Sequence, residues 1–522
     1  MTCRQGRAIF DLVLQPKSAP KTDKLVKKDA QRITPMGKPA ILCVNVIQCK
    51  LNSLLIVCFA FLLAIFDVQG FNKDSVELSG VGIYETDFLP PSFHKEKRET
   101  LRSLMPDNSV AVLFSSPIKN RSNDVDYAFH QDPSFYYLTG LKEPHALLLV
   151  FKEVQEINGT YSNEVLYLQP HDEKEERWNG KRMGVQGAVE LLGFSTGYAN
   201  FKFAVHDFNF PSFDKVLYVD DPSLIMDNNN DRGDLYSLNK HFFLKQDSNL
   251  TNLDSRLLKE IMASIREIKS EVEIGLLQKA IDITCKAQIE LMQTLEPGMT
   301  EYQSEALIEY VFKNEGAEHP GFPSIVGGGE NSCILHYTNN RKTLEDGDLI
   351  VVDVGAEYHS YTADVTRTIP VNGTFSEEQR IIYDIVLKAQ TEGIRACVPG
   401  NKFWAANEKA IEIIADGLLG NGIIAKREEY RNYFMHGTSH YLGLDVHDVG
   451  LYGSLKPGNV LTVEPGIYIP IGASCDEKWW NIGIRIEDDI LITPTGYNVL
   501  SGCVPKSVAE IEQLMSKDNT HR

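Results

Sequence analysis

The chain has no CxxC pair and no zinc-finger spacing among its nine cysteines, which stand apart at Cys3, Cys43, Cys49, Cys58, Cys285, Cys333, Cys397, Cys475 and Cys503. A zinc-finger module is thereby excluded, and the thiols read as mostly free or buried. The odd set beyond residue 70 speaks mildly against export, because secreted chains tend to pair their cysteines. Positive charge is scarce as well: 52 Lys and Arg face 71 Asp and Glu, a net charge of -19. Neutralising phosphates takes an excess of basic residues, so a nucleic-acid partner is excluded. No low-complexity tract and no short-period repeat interrupts the chain. With 43% hydrophobic and 24% charged residues the composition is that of an ordinary globular protein, and 522 residues supply two sizeable cores plus extras.

Nor does any uninterrupted apolar run reach the ~20 residues of a spanning helix. What is present is the shorter "LLIVCFAFLLAIF" over Leu54 to Phe66, preceded by Lys50 and followed by "DVQG", whose Val68 and Gly70 are small enough for a cleavage site. This is the layout of a signal peptide, which predicts a leader over residues 1–70 and a secreted or periplasmic product. The lysine-rich tract from Met1 to Pro39 is long for such a leader, so Met36 is an alternative start. A cytoplasmic location, or anchoring by residues near 41–66, stays open.

Beyond the leader, "FLPPSF" reads as a linker, and a helical pattern begins near Arg98. "SVAVLFSS", "SFYYLTGL", "HALLLVF", "EVLYLQP" and "KVLYVDD" are strand-length and bounded by turn residues, with helical stretches such as "GVQGAVELLG" between them. Alternating strands and helices predict an α/β N-terminal domain over 71–255. From Ser255 the apolar residues recur at helical spacing, predicting two helices broken near Lys269 and Ser270, then a third capped by Thr300. A second domain therefore spans 256–522, strand-rich around a helical stretch from Ser376 to about Leu419.

Its chemistry concentrates in "DLIVVDVGAEYHSYTADVTRTI". A two-residue hairpin centred on Tyr358 and His359 would set Asp353 directly opposite Asp364. Like charges so placed repel, and a bound cation would turn the repulsion into ligation. A different register, with one aspartate on the surface, is the alternative. "MHGTSHYLGLDVHD" adds His436, His440 and His447; "LTVEPGIYI" and "IRIEDDI" place Glu464 and Glu487 inside strand-like runs. Buried glutamates at strand positions are costly unless paired or coordinated. Two aspartates, two glutamates and a histidine form an oxygen-rich set suited to octahedral ions such as Mn²⁺, and four negative charges call for two ions, about 3.5 to 4 Å apart.

These segments, "DVGAEYHSYTADVTRT", "HGTSHYLGLDVHDVG", "TVEPGIYI" and "GIRIEDDI", resemble in order the metal-binding motifs of the pita-bread metallopeptidases, the group containing aminopeptidase P, prolidase and methionine aminopeptidase. "DYAFHQDPSFYYLTGLKEPHALLLV" resembles the N-terminal domain of the aminopeptidase P and prolidase branch. The resemblance implies an α+β pita-bread (creatinase/aminopeptidase) catalytic domain. It implies two divalent ions, Mn²⁺ before Co²⁺ or Zn²⁺, held by Asp353, Asp364, His440, Glu464 and Glu487, with Asp364 and Glu487 bridging. His336 of "ILHYTNN" and His447 match histidines around the substrate carbonyl, His436 lines the site, and Arg485 matches a residue that orients a ligand. The implied reaction is release of the N-terminal residue from peptides with proline second, a metal-bridging hydroxide attacking and Glu464 relaying the proton. Prolidase action on Xaa-Pro dipeptides and a non-catalytic binding role on the same fold are the alternatives. Relatives are commonly dimers or tetramers, so a homo-oligomer is expected.

Overall fold

The computed structural model describes residues 87–219, 233–246 and 250–517. The expected leader, the alternative start at Met36 and the alternative anchor lie outside these. Among the described residues, no helix is long and apolar enough to cross a membrane.

Helix α1 (Pro91–Leu104) starts with Pro91 in its first turn, where the missing N–H has no helical partner to lose. Half of the expected linker is therefore helix, and the helix begins well before Arg98. Strand β1 (Ser109–Phe114) follows. "SFYYLTGL", read above as a strand, is instead helix α2 (Pro133–Thr139). Its aromatic content favours strand, but its ends decide: the Asp132 carboxylate accepts the Phe135 N–H at 2.7 Å, Pro133 occupies the first turn, and Gly140 closes the helix at φ 72°. Strands β2 (Leu147–Ile157) and β3 (Thr160–Leu168), helix α3 (Gly184–Glu190), and strands β4 (Gly197–Ala199) and β5 (Lys215–Tyr218) complete the unit. The sheet order is β4-β3-β2-β1-β5, antiparallel at its centre and parallel at both edges.

Every residue of β1 is buried because both faces of the sheet are covered. One face packs on Phe203, Phe210 and Phe242. The other packs on Leu101, Phe135 and Tyr137, and this core continues without a break through helices α4 (Ser255–Arg266) and α5 (Glu271–Thr294) into the second half of the chain. Each such fully buried large apolar side chain contributes about 1.5–3 kcal/mol. Asp254 caps α4 through the Leu257 N–H, and Glu273 accepts the Ser270 N–H at the start of α5. The two helices break at Lys269 and Ser270 as expected.

After helix α6 (Glu301–Asn314), capped by Thr300, come strands β6 (Ile325–Gly328), β7 (Leu349–Val354), β8 (Ala356–Tyr358), β9 (Tyr361–Thr362) and β10 (Val365–Pro370). The helical stretch is two helices, α7 (Glu377–Ala396) and α8 (Ala405–Gly420). Strands β11 (Val460–Val463), β12 (Gly466–Ile469), β13 (Ile482–Arg485), β14 (Asp488–Thr493) and β15 (Gly496–Val499) follow, then helix α9 (Val508–Lys517). Helix α5 lies along the back of the β7–β10 ribbon: Gln288 donates to the carbonyls of Val352 and Val365 at 3.0 and 2.9 Å, and Thr284 Oγ1 accepts the Ala356 N–H. Cys285, on the same helix, is joined to Cys503 by a disulfide, an exception to the expectation of mostly free thiols; Cys333, Cys397 and Cys475 are free.

Candidate metal centre

The ribbon corrects the expected register. Asp353 pairs with Thr366, Val354 with Val365, Glu357 with Thr362 and Tyr358 with Tyr361. The turn is therefore His359–Ser360, both left-handed at φ 48° and 71°, as a two-residue hairpin of this hand requires. Contacts hold it there: Phe88 stacks on the His359 ring at 3.9 Å, and its nitrogens meet Asp87 at 2.9 Å and Glu318 at 3.3 Å. Asp353 and Asp364 are consequently diagonal neighbours rather than direct partners. A register displaced by two keeps side-chain parity, so both still face the same side.

The two glutamates stand at breaks between strands rather than inside them. Glu464 lies between β11 and β12, where Pro465 removes a ladder donor; its own N–H goes to the Thr438 carbonyl in the histidine segment. Glu487 lies between β13 and β14 and sends its N–H to the Thr366 carbonyl of the ribbon. These crossings tie three chain segments to one point. His440 joins them through Thr462, whose N–H donates to the His440 carbonyl.

Ligand atoms of Asp364, His440 and Glu487 lie within 4.8 Å of one another. His440 Nε2 is 3.4 Å from Asp364 Oδ2 and 3.6 Å from Glu464 Oε1. Its Nδ1 faces the Tyr441 carbonyl at 3.0 Å, which fixes the proton on Nδ1 and leaves Nε2 a free lone pair. Arg485 donates to Asp353 Oδ2 at 2.6 Å and to the Tyr468 hydroxyl at 2.9 Å; that hydroxyl also meets His436 Nε2 at 2.9 Å. Thr366 Oγ1 donates to Glu487 Oε2 at 2.6 Å. Two oxygens remain over, Asp353 Oδ1 and Asp364 Oδ1, both buried and without a hydrogen-bond donor. Burial first, then the charges of Asp353 and Asp489, pushes the Asp364 carboxyl far up; burial and Asp364 do the same to Glu487. Burial raises Glu464 to about 7 against the opposing pull of His440 and Arg485. Four carboxylates thus converge on a point with too little positive charge of the protein's own.

The remaining expected residues are close by. The His447 and His440 rings are 4.2 Å apart. His336 is exposed, yet near enough that its charge depresses both His436 and His447. Burial is the larger cause, holding His436 at about 4, so both imidazoles are neutral around pH 7. Tyr468 and Thr366 were missed by the sequence reading. Thr366 was legible, being two residues beyond Asp364 and hence on its face; nothing local marks Tyr468.

The model of metallopeptidase family M24 matches residues 275–494, and that of the aminopeptidase P N-terminal domain matches residues 94–206. Xaa-Pro aminopeptidase of Haemophilus influenzae is 40% identical over 440 residues, spanning 82% of this chain and 98% of that protein. Among solved structures, aminopeptidase P from Escherichia coli with the inhibitor Pro-Leu superposes with a TM-score of 0.74 at 36% identity, covering 83% of this chain and all of the other. A zinc-substituted form of the E. coli enzyme in complex with product has the same TM-score and identity, over 83% of this chain and 99% of its own. The fold is accordingly that of an aminopeptidase P N-terminal domain joined to a pita-bread catalytic domain, and the chain belongs to metallopeptidase family M24, in its aminopeptidase P branch.

Proposed function

We propose that this protein is a metal-dependent Xaa-Pro aminopeptidase, releasing the first residue from peptides whose second residue is proline. The observation that carries the reading is the convergence of Asp364, His440 and Glu487, with Asp353 and Glu464 beside them, in a chain of which 82% aligns with 98% of such an enzyme. The five side chains would hold two divalent ions. The donor set fits: hard oxygens predominate, two buried aspartate oxygens lack any donor, and the carboxyls resist ionisation until a cation arrives. Mn²⁺ suits this oxygen-rich set best; the zinc-substituted relative makes Zn²⁺ the ion to compare. Bound, the ions supply an activated water near neutral pH and an electrophile for the peptide carbonyl.

The chain's own residues supply the rest. Arg485 turns Asp353 so that Oδ1 faces the centre, and Thr366 does the same for Glu487 by occupying Oε2. His336 and His447, the latter uncharged at neutral pH, donate to the scissile carbonyl oxygen and to the negative charge that develops on it. His436, held by the Tyr468 hydroxyl, lines the site on the Arg485 side. Glu464, 3.6 Å from His440 Nε2 at the edge of the centre, takes up and returns the proton.

The test is hydrolysis of Xaa-Pro-Xaa tripeptides against Xaa-Pro dipeptides by metal-reconstituted protein. Release of the first residue from the tripeptide supports the reading. Cleavage of the dipeptide alone makes the chain a prolidase, and no cleavage with less than one metal per chain makes it a binding protein. A homo-oligomer, dimer or tetramer, and export by the leader belong to the same proposal. Export is supported by the Leu54–Phe66 run and by the Cys285–Cys503 disulfide, which an oxidising compartment preserves; N-terminal sequencing of the natural protein and its mass in solution test the two.

A further inference from the structure

The ribbon face that carries the acids does not end at Asp364. The strand pairing lapses at Gly355 and Asp364 and resumes in the same register, so the next cross-strand pair of that parity is Glu357 and Thr362. Gly355 has no room for a side chain: a Cβ there would meet the Ala363 carbonyl oxygen at 1.7 Å. No side chain therefore stands between Asp353 and Glu357 along this strand.

A cavity of about 260 Å³ is walled by Glu357, Thr362, Gly321, Asp445, His447 and His130. It shares His447 with the centre, whose His440 is that residue's ring neighbour. The loop bearing Asp445 and His447 is pinned to the ribbon by the Thr362 N–H donating to the Gly443 carbonyl at 2.9 Å. Behind the loop, Asp448 is fully buried against Arg266 and Lys269, so this wall is rigid. His130 comes from the N-terminal half and reaches Glu357 Oε2 at 3.2 Å, although its side chain is 48% exposed. The volume falls below the roughly 300–1,000 Å³ of pockets that enclose whole ligands and is suited to one side chain. Glu357, only 6% exposed, faces this space with an imidazole at its edge as its cross-cavity partner. Asp445 adds a second carboxylate, held from behind by Arg266 at 3.0 Å. The cavity is not a further metal site: among the described residues, only Asp364, His440 and Glu487 bring ligand atoms together closely enough.

We propose that this cavity is a substrate subsite for a cationic side chain, the guanidinium or ammonium of an arginine or lysine, with Glu357 as its specificity-determining carboxylate. The proposal rests on the aminopeptidase reading. Because proline fills the second position, the cation comes from the first residue or from the third. Glu357 already meets the half-exposed His130 imidazole at 3.2 Å, and a guanidinium or ammonium entering the cavity adds a charge-assisted hydrogen bond that an apolar side chain cannot.

The experiment compares kcat/KM of the full metal-loaded chain on Arg-Pro-Ala with Leu-Pro-Ala, and on Ala-Pro-Arg with Ala-Pro-Leu. Citrulline peptides, which keep the shape and donors of arginine without its charge, complete each set. Expected is a preference of about tenfold for arginine at one of the two positions, carried by KM and largely lost with citrulline, which identifies the position that enters the cavity. Glu357→Gln brings arginine and leucine to parity at that position. The citrulline comparison needs no variant, so the result stands even if Glu357→Gln folds poorly. Equal rates for arginine, citrulline and leucine at both positions overturn the inference while leaving the peptidase reading intact. So does a preference for arginine that survives Glu357→Gln. Failure to cleave any of these peptides overturns both.

Discussion

Glu487 and Asp488 are consecutive, both are buried, and they stand in opposite electrostatic worlds. Burial works to raise the Asp488 carboxyl, but the charges of Arg367 and Lys506 outweigh it and hold it at about 2. Arg367, Lys506, Gln390 and the Ser501 hydroxyl all donate to it, at 2.8, 2.5, 2.7 and 2.7 Å. Every charge there has its partner. One residue earlier, Glu487 turns to the other side of the strand and joins three further carboxylates around Asp364, where two oxygens have no donor and the carboxyls are pushed up. A balanced cluster stabilises the fold on its own. An unbalanced one is stable only with something added, and that difference separates a structural ion pair from a binding site more sharply than burial does.

Breaking the unbalanced side should cost activity most. Asp364→Ala removes an oxygen donor from the middle of the centre and also relieves repulsion, so the metal-free protein should be no less stable while hydrolysis of an Xaa-Pro-Xaa tripeptide falls on the order of a thousandfold or more, beyond the roughly 10–100-fold that outer residues cost. Peptidase assay beside thermal unfolding of the metal-free form measures both. Near-full activity would remove Asp364 from the centre.

The balanced side should respond in the other currency. Asp488→Ala leaves Arg367, which has no exposed surface, without its carboxylate, and breaking such a buried pair costs about 3–5 kcal/mol. Urea denaturation should show that loss, while the protein that remains folded keeps its metal. A variant of full stability that loses metal instead would erase the distinction drawn between the neighbours.

Tyr468 sits between the two regimes, a fully buried phenol whose hydroxyl links Arg485 to His436. Tyr468→Phe takes away that oxygen and nothing from the metal ligands. Activity should drop about 10–100-fold at unchanged metal content, because Arg485 then orients Asp353 less well. Metal analysis together with kcat and KM decides it; lost metal would make Tyr468 part of the cradle rather than its support.

How much of this was legible follows from which signals are local. Asp353, Asp364 and the face they share came from the alternation of residues in "DVGAEYHSYTADVT", and an error of one residue in the turn centre left that face intact because it displaced the register by two. The turn itself was not legible: His359 and Ser360 carry none of the Asn or Gly signal that left-handed turn residues usually show, and contacts with Asp87, Phe88 and Glu318, distant in sequence, hold them there. Helix α2 was misread although its cap residues, Asp132, Pro133 and Gly140, were in plain view; aromatic content was weighted over end chemistry. Asp488 could not be told from Glu487 by spacing alone, since partner charges arrive from residues 367 and 506.

The smallest effect sharpens the comparison through pH. In the metal-free chain the Glu464 carboxyl is raised to about 7 from an ordinary 4.5, chiefly by burial. A raised carboxyl contributes stability that is complete below its unfolded value and is lost as pH climbs through the folded one, so the unbalanced centre should weaken the fold between about pH 4.5 and 7. Asp488 has the opposite sign: depressed from 3.8 to about 2, it contributes above 3.8 and fails only as pH falls through 2. Between pH 5 and 7.5 Asp488 is therefore silent, and the raised Asp364, Glu464 and Glu487 carboxyls pull stability down there against the opposite slope of His94 and His436, which burial holds at about 4. Divalent ions reverse the centre's slope, since they bind the deprotonated carboxylates, and at a hundredfold excess over Kd they add about 2.7 kcal/mol, a few degrees of Tm. Thermal unfolding from pH 5 to 7.5 should show Tm falling in chelator and the gap to the Mn²⁺-loaded protein widening. A chelated protein whose Tm holds or rises across that range, with no widening on adding Mn²⁺, would mean that the protein's own cations already balance the four carboxylates, and the contrast between Glu487 and Asp488 would lose its physical basis.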